Sequence, residues 1–252
     1  MKNAAVVGGS NGIGLSVTMS LNGYDRIYII DRQNPDMELL EQNRENNPKT
    51  EYVYIPFDLQ SENYEMFDCL EGVKTLIITA GIGRLSLFGE TREEEIDRSF
   101  RVNTIGPMRI IHHFYDKLNS STNDMYCAVM VSISGHISSP FFSIYSATKA
   151  ALHRFIESVN VELEKAGARN RILEVSPGSL KGTSFNGGKT DVSQTLSLAK
   201  EIIDRMDRRE TLFIPQWEEI FKDVVGRYQR DPRHFGLESY EYKLRSGRIQ
   251  KK

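Results

Sequence analysis

The sequence predicts an α/β fold: a single domain in which helices cover both faces of a doubly wound, seven-stranded parallel sheet. Seven short apolar runs alternate along the chain with longer amphipathic stretches. Runs that are apolar throughout, rather than at every second residue, are what strands buried on both faces require. Alternating strand and helix patterns then produce right-handed βαβ units. A length of 252 residues lets one such domain bury about three quarters of its unfolded surface. No internal repeat, low-complexity tract or linker-like boundary breaks the pattern before about residue 231. The domain is therefore assigned to 1–230 and a C-terminal extension to 231–252.

The predicted strands are 4–7, 26–30, 52–55, 75–79, 126–131, 171–175 and 212–214. The first ends in Gly8-Gly-Ser-Asn-Gly12-Ile-Gly14, ahead of an amphipathic 15–21. Glycines 8, 12 and 14 allow a tight turn and close approach to a pyrophosphate, whose charge free N–H groups at the helix start would stabilise. A bare strand-to-helix turn is the plainer alternative. Asp31 closes the second strand seventeen residues past Gly14, where a carboxylate can accept hydrogen bonds from an adenosine ribose. The loop also contains Gly-x-Ser-x-Gly centred on Ser10, the setting of a hydrolase nucleophile. Such a nucleophile draws oxyanion donors from an earlier strand-to-helix loop, and seven residues before Gly8 leave no room for one. Further on, Thr91-Arg-Glu-Glu94 forms a capping box that opens a helix toward Leu118.

Ser132 closes the fifth apolar run; Tyr145 follows thirteen residues later and Lys149 four beyond that. Apolar residues at three- and four-residue steps after Pro140, among them Ile144, Leu152 and Ile156, predict a helix. Tyr145 and Lys149 then share one face, a turn apart. An ammonium beside a phenol favours the phenolate and lowers its ordinary pKa of about 10. Tyr145 could so exchange a proton with an alcohol or carbonyl oxygen while Ser132 donates a hydrogen bond to the same oxygen. An interfacial tyrosine beside a solvated lysine is the alternative.

Composition narrows the field. Hydrophobic residues at 39% and charged residues at 26% are those of a soluble globular protein. A formal net charge of -2 offers no general attraction to nucleic acid or an anionic membrane. Cys69 and Cys127 both lie in apolar surroundings, which suggests no disulfide framework and a reducing compartment. No run approaches a membrane span, and Met1-Lys2-Asn3 leads straight into the first strand without a basic leader, so a cytoplasmic location is expected. No metal site is expected.

Gly-x-x-x-Gly-x-Gly at the N-terminus, an acid after the second strand, and Ser132, Tyr145 and Lys149 at these spacings together resemble the short-chain dehydrogenase/reductase family, over roughly residues 3–215. The resemblance implies a Rossmann-type sheet and reversible hydride transfer between a nicotinamide cofactor and a secondary alcohol or ketone. It implies Tyr145 as the acid/base, Lys149 on the ribose and depressing the Tyr145 pKa, Ser132 on the substrate oxygen, and Asn103 in a water-linked proton path to the lysine. For the cofactor it implies Gly8, Ser10, Asn11, Gly12, Ile13 and Gly14 at the pyrophosphate. Asp31 would meet the ribose and Asp58-Leu59 the adenine, with Ala80 and Gly81 after the fourth strand and Pro177 and Thr183 toward the nicotinamide.

Two positions depart from the family pattern. Ile78-Thr79-Ala80-Gly81 stands where the family has Asn-Asn-Ala-Gly, and Thr183 comes five residues beyond Gly178 rather than four. NAD is expected over NADP, because a 2′-phosphate would meet the Asp31 carboxylate and the loop residues Gly9, Ser10 and Asn11 carry no positive charge. Arg32 is the opposing base. A homodimer or homotetramer is expected through helices 93–118 and 144–164. A nucleotide-sugar-modifying enzyme and a non-catalytic dinucleotide-sensing protein are the alternatives on the same fold. The glycine spacing argues against the first and the intact Ser132, Tyr145, Lys149 set against the second.

A substrate pocket on this fold would take residues from the loops at the carboxyl edge: Arg84, His136, Phe141, Phe142 and the segment 182–188 with Phe185. Each has a plainer reading, as a surface charge or as packing. The tail after Pro232 carries Tyr240, Tyr242 and a basic end at Lys243, Arg245, Arg248, Lys251 and Lys252. It either covers the pocket, reaches another subunit or, over its last five or so residues, frays.

Overall fold

Seven strands form one parallel sheet in the order β3-β2-β1-β4-β5-β6-β7. They are β1 (Asn3–Val7), β2 (Arg26–Asp31), β3 (Glu51–Pro56), β4 (Val73–Ile78), β5 (Tyr126–Met130), β6 (Ile172–Val175) and β7 (Leu212–Phe213). The computed structural model describes residues 1–43, 47–183, 185 and 189–246. The doubly wound, single-domain expectation holds, and each predicted strand is present within a residue or two of its predicted bounds.

Alternation along the strands feeds two cores. Ala5 and Val7 of β1 and Leu76 and Ile78 of β4 face one; Ala4, Val6 and Ile77 face the other. α3 (Glu93–Phe100) buries none of its residues; the first core is closed by α4 (Gly106–His113), α5 (Tyr115–Leu118) and α6 (Ser143–Lys165), mainly through Ile110, Ile111, Leu152 and Ile156. The second is closed by α1 (Gly12–Ser20), α2 (Met37–Asn43) and α7 (Leu196–Asp207), through Leu15, Leu40 and Ile202. Both faces of the sheet are thereby dry, which is why its strands lack polar alternation. After β7 the chain adds α8 (Lys222–Arg230) and α9 (Pro232–Arg245).

Three expectations need correction. The single helix predicted over 91–118 is broken: α3 passes through a π-turn at Arg101–Ile105 before α4. The capping box falls one residue late, because the Arg92 N–H donates to the Glu95 carboxylate at 3.1 Å and the arginine side chain has no acceptor to complete it. Cys69 is exposed at the end of a 3-10 turn, while Cys127 is fully buried and its thiol is pushed up to about 12 by that burial. In the tail, Arg248, Lys251 and Lys252 lie outside the described residues, as do positions 184 and 186–188 of the predicted pocket segment.

Candidate active site

The strand order reverses between β1 and β4, and the crevice at the carboxyl ends of such a pair is where doubly wound sheets bind ligands. β1 runs out into Gly8, at φ +85°, where a Cβ would lie 2.5 Å from the Ala80 nitrogen. A Cβ on Gly14 would lie 2.0 Å from the Gly8 carbonyl oxygen. The first and last glycines are thus fixed by the packing of the loop itself, and Gly12, at φ +51°, by the turn into α1. Thr79 replaces the family amide with a hydroxyl shared between the Val7 and Gly8 carbonyls, each at 3.1 Å. Ser10, 2% exposed, donates its hydroxyl to the Gln33 carbonyl at 2.6 Å, so it is a structural tie and no nucleophile.

Asp31 points back at this loop. Its carboxylate accepts from the N–H groups of Ser10 (3.2 Å), Arg32 (2.7 Å) and Gln33 (3.4 Å). An ionised carboxylate has about four acceptor positions, so a further hydroxyl can be received there. Asn11 donates to the Gln33 side chain at 2.9 Å, and Ile13 is turned into the core. Arg32 extends away toward Asp58, at 4.0 Å. Leu59, also assigned to the adenine, packs its side chain into the core, leaving Asp58 at the edge. Thr183 lies against Gly12, whose added Cβ would meet it at 3.4 Å. Thr190, which sequence reasoning missed, accepts the Gly12 N–H at 3.2 Å.

The opposite wall carries Asn103, Ser132, Tyr145 and Lys149. Asn103 sits in the π-turn, a device that re-aims a side chain out of helical register. Its amide clasps the backbone of Ile82, accepting from N–H and donating to C=O, both at 2.8 Å, and it also donates to Thr148 at 3.1 Å. A Cβ on Gly81 would touch both the Asn103 amide oxygen and the Lys149 ammonium at 3.5 Å. Ser132 is held by the Ser134 N–H at 3.2 Å and reaches the Pro177 carbonyl at 3.5 Å. It also hydrogen-bonds the Tyr145 hydroxyl. Gly135 lets this loop approach α6, since a Cβ there would lie 2.8 Å from the Lys149 carbonyl oxygen.

Lys149 is 2% exposed; its ammonium stands 5.8 Å from the Tyr145 ring centre and donates to the Met130 carbonyl at 2.9 Å. One expectation is reversed here. Burial pushes the Tyr145 phenol up to about 12, only partly offset by the Ser132 hydrogen bond. Lys149 does not pull it down, because burial of the ammonium lowers the lysine itself to about 7. Desolvation outweighs the mutual attraction of phenolate and ammonium.

Beside Tyr145 opens a cleft of about 320 Å³ lined by Ile82, Gly83, Arg84, Phe141 and Phe142. The rings of Phe142 and Phe185 flank Tyr145, each 5.2 Å away between centres. Arg84 pairs with Glu95 at 2.7 Å at the rim. Phe141 holds a left-handed φ of +65° with Tyr240 of α9 stacked on it at 4.6 Å. His136, which its sequence context suggests is a surface loop residue, is largely buried against Glu174. Glu174 and His153 were missed outright; the legible signal was a lone acid inside the apolar run 171–175.

The pieces fit a dinucleotide: a glycine turn at a helix start, a carboxylate with spare acceptor capacity beyond it, and a lysine and asparagine meeting at Gly81. Comparison with known proteins agrees. Residues 2–193 match the family model described as short chain dehydrogenase. A curated L-rhamnose 1-dehydrogenase (NADP(+)) of Thermoplasma acidophilum is 26% identical over 228 residues, covering 85% of this chain and 87% of its own. The chain spans only 36% to 48% of the length of four fungal relatives at 28% to 36% identity. The solved alcohol dehydrogenase of Thermococcus sibiricus, complexed with 5-hydroxy-NADP, superposes with a TM-score of 0.70 at 23% identity, over 85% of this chain and 95% of its own. A short chain dehydrogenase/reductase of Burkholderia phymatum, in complex with NAD, gives 0.71 at 18%, over 91% and 93%. No described helix is long and apolar enough to cross a membrane. With the family model matched over three quarters of its length, the chain belongs to the short-chain dehydrogenase/reductase family of oxidoreductases.

Proposed function

We propose that the protein interconverts a secondary alcohol and a ketone at Tyr145, using NAD(H) in preference to NADP(H). The observation that carries this reading is Tyr145 at the wall of a cleft, with the Ser132 hydroxyl beside its own and the Lys149 ammonium buried 5.8 Å from the tyrosine ring centre. A nicotinamide dinucleotide, when bound, supplies or accepts the hydride; the protein positions, orients and moves the proton.

With its phenol pushed up to about 12, Tyr145 is protonated at neutral pH. It is therefore ready as the acid of ketone reduction, giving its proton to the carbonyl oxygen while Ser132 donates a second hydrogen bond to the same atom. Lys149 holds a ribose hydroxyl. Asn103, fixed on the Ile82 backbone, keeps the π-turn in place beside the lysine and supports a water-linked path to it. The glycine loop from Gly8 to Gly14, with Ser10, Asn11 and Ile13, takes the pyrophosphate. Asp31 takes the adenosine ribose, Asp58 with the Leu59 backbone the adenine edge, and Ala80 and Gly81 the adjoining wall. Pro177 and Thr183 lie on the nicotinamide side.

NAD(H) preference is inferred from Asp31, whose carboxylate would face a 2′-phosphate with like charge. Arg32, the base beside it, is drawn to Asp58. Phe141 and Phe142 in the cleft wall favour a substrate with an apolar body. A panel of secondary alcohols and ketones, followed by absorbance of the reduced cofactor, tests the reading. Cofactor-dependent turnover of at least one such compound supports it, and saturable cofactor binding without turnover of any would contradict it.

A further inference from the structure

A buried acid behind the tyrosine helix is left unused by the chemistry above. Glu174, 1% exposed, interrupts the otherwise apolar β6. One carboxylate oxygen meets His153 Nδ1 at 2.7 Å; the other meets His136 Nε2 at 2.8 Å and accepts the Ser176 hydroxyl at 2.7 Å. The two imidazoles lie 4.2 Å apart between centres. His153 stands four residues beyond Lys149 on α6, and His136 four residues beyond Ser132 on the adjoining loop. One carboxylate thus ties together the two segments that carry the proposed catalytic groups. Lys149 is anchored alongside: its acceptor Met130 pairs with Val175, next to Glu174 on β6.

The donor atoms of His136, His153 and Glu174 lie within 4.8 Å of one another, as a metal site would require. Ligands sharing a tetrahedral zinc at about 2.0 Å stand about 3.3 Å apart. The imidazole-to-carboxylate distances of 2.7 and 2.8 Å are hydrogen-bond lengths. A hydrogen-bonded triad accounts for them.

We propose that Glu174 is a positioning residue: clasped by His136 and His153, it fixes the Ser132 loop against the Tyr145 helix and serves as the buried counter-charge that keeps Lys149 an ammonium. The proposal rests on the assignment of Tyr145 and Lys149 above. A buried cation without an opposite charge gives up its proton, and Glu174 is the charged group whose field opposes that loss at Lys149. Tyr145 faces the ammonium from the same helix, and Asn103 from the π-turn contributes a neutral amide. On its far side Glu174 faces His136, His153 and Ser176, with Glu157 beyond, 3.6 Å from His153 Nε2. Burial raises the Glu174 carboxyl, but the three donors outweigh it and hold it near about 2, so it stays an anion across the working range.

The test is the pH profile of kcat/KM, read together with cofactor affinity at each pH. In the wild type, activity falls as pH rises through the lysine, which loses its proton near pH 7. In Glu174→Gln that fall should move at least tenfold in proton concentration toward lower pH, with activity below it within about threefold of wild type. Glu174→Asp, which keeps the charge but shortens its reach, should move the fall in the same direction by less. An Asp variant with an unmoved profile and unchanged turnover overturns the proposal even where the Gln variant does not fold. A uniform drop at every pH overturns the counter-charge role, and stoichiometric zinc in the purified protein, lost with activity on chelation, overturns the triad. Tyr145→Phe run alongside keeps the failures apart: retained turnover there sinks the site assignment, whereas an unmoved Glu174 profile beside an inactive Tyr145→Phe sinks Glu174 alone.

Discussion

Lys149→Met should make the protein more stable, by an amount that depends on pH. The lysine is buried and its proton is held at about 7 rather than the ordinary 10.5. Every tenfold loss of proton affinity on folding is worth about 1.36 kcal/mol, so ordering the charged side chain costs folding roughly 5 kcal/mol at pH 6. Methionine keeps the unbranched stem without the charge. Against this stands the lost hydrogen bond to the Met130 carbonyl, about 1.5 to 3 kcal/mol for a charged donor. The net gain at pH 6 is about 2 to 3 kcal/mol.

The sign of the pH dependence follows from linkage. Lys149 binds its proton less tightly folded than unfolded, so between pH 7 and 10.5 unfolding takes up a proton and wild-type stability rises with pH. Methionine does not titrate. The advantage of Lys149→Met should therefore shrink by about 1.4 kcal/mol for each step of one in pH above 7 and be near zero at about pH 9. Urea unfolding followed by circular dichroism at pH 6, 7, 8 and 9, at fixed protein concentration, measures it. A difference that does not change with pH, or a destabilised variant at pH 6, would refute the reasoning.

Asp31→Ala should erode the preference for NADH over NADPH by about tenfold or more in kcat/KM, given charge-assisted hydrogen bonds worth about 1.5 to 3 kcal/mol; an unchanged ratio, or a wild type that favours NADPH, counts against Asp31. Gly14→Ala places a Cβ 2.0 Å from the Gly8 carbonyl oxygen, and overpacking of that kind costs about 1 to 3 kcal/mol or more. It should lower the melting temperature and abolish cofactor-induced thermal stabilisation, which a normal rise in melting temperature with cofactor would contradict. Ile105 and Val161, 40% and 60% exposed on the segments expected to pair, should lie in a homo-oligomer interface. Light scattering at micromolar concentration should show a dimer or tetramer that Val161→Glu weakens; a monomeric wild type contradicts this.

The fold was legible because burial on both faces leaves a plain trace: runs such as 4–7 and 75–79 have no polar alternation, and the helices between them do. The glycine loop, Asp31 and the Ser132, Tyr145, Lys149 set were legible by spacing, since a turn and a helix face are local matters. Electrostatics were not. That Tyr145 goes up rather than down depends on how much chain surrounds it, and no spacing reports the balance of desolvation against attraction. The π-turn was hidden because the weak helix formers Val102, Asn103, Thr104 and Ile105 do not by themselves fix a helical register, and the clasp of Asn103 on Ile82 joins residues 21 apart. Glu174 left a trace as an acid in an apolar strand, but its partners His136 and His153 lie 38 and 21 residues away, beyond any local pattern.

The most direct measurement is single-turnover reduction of a confirmed ketone by Tyr145→Phe, with cofactor affinity measured on the same sample. The substitution keeps the ring, its contacts with Phe142 and Phe185, and the neighbouring lysine; it removes the hydroxyl alone. If Tyr145 delivers the proton, the chemical step slows by about 100-fold or more, the usual worth of a positioned acid, while cofactor affinity changes by less than about threefold. A variant that reduces the ketone at a near-normal rate would show that the proton comes from elsewhere.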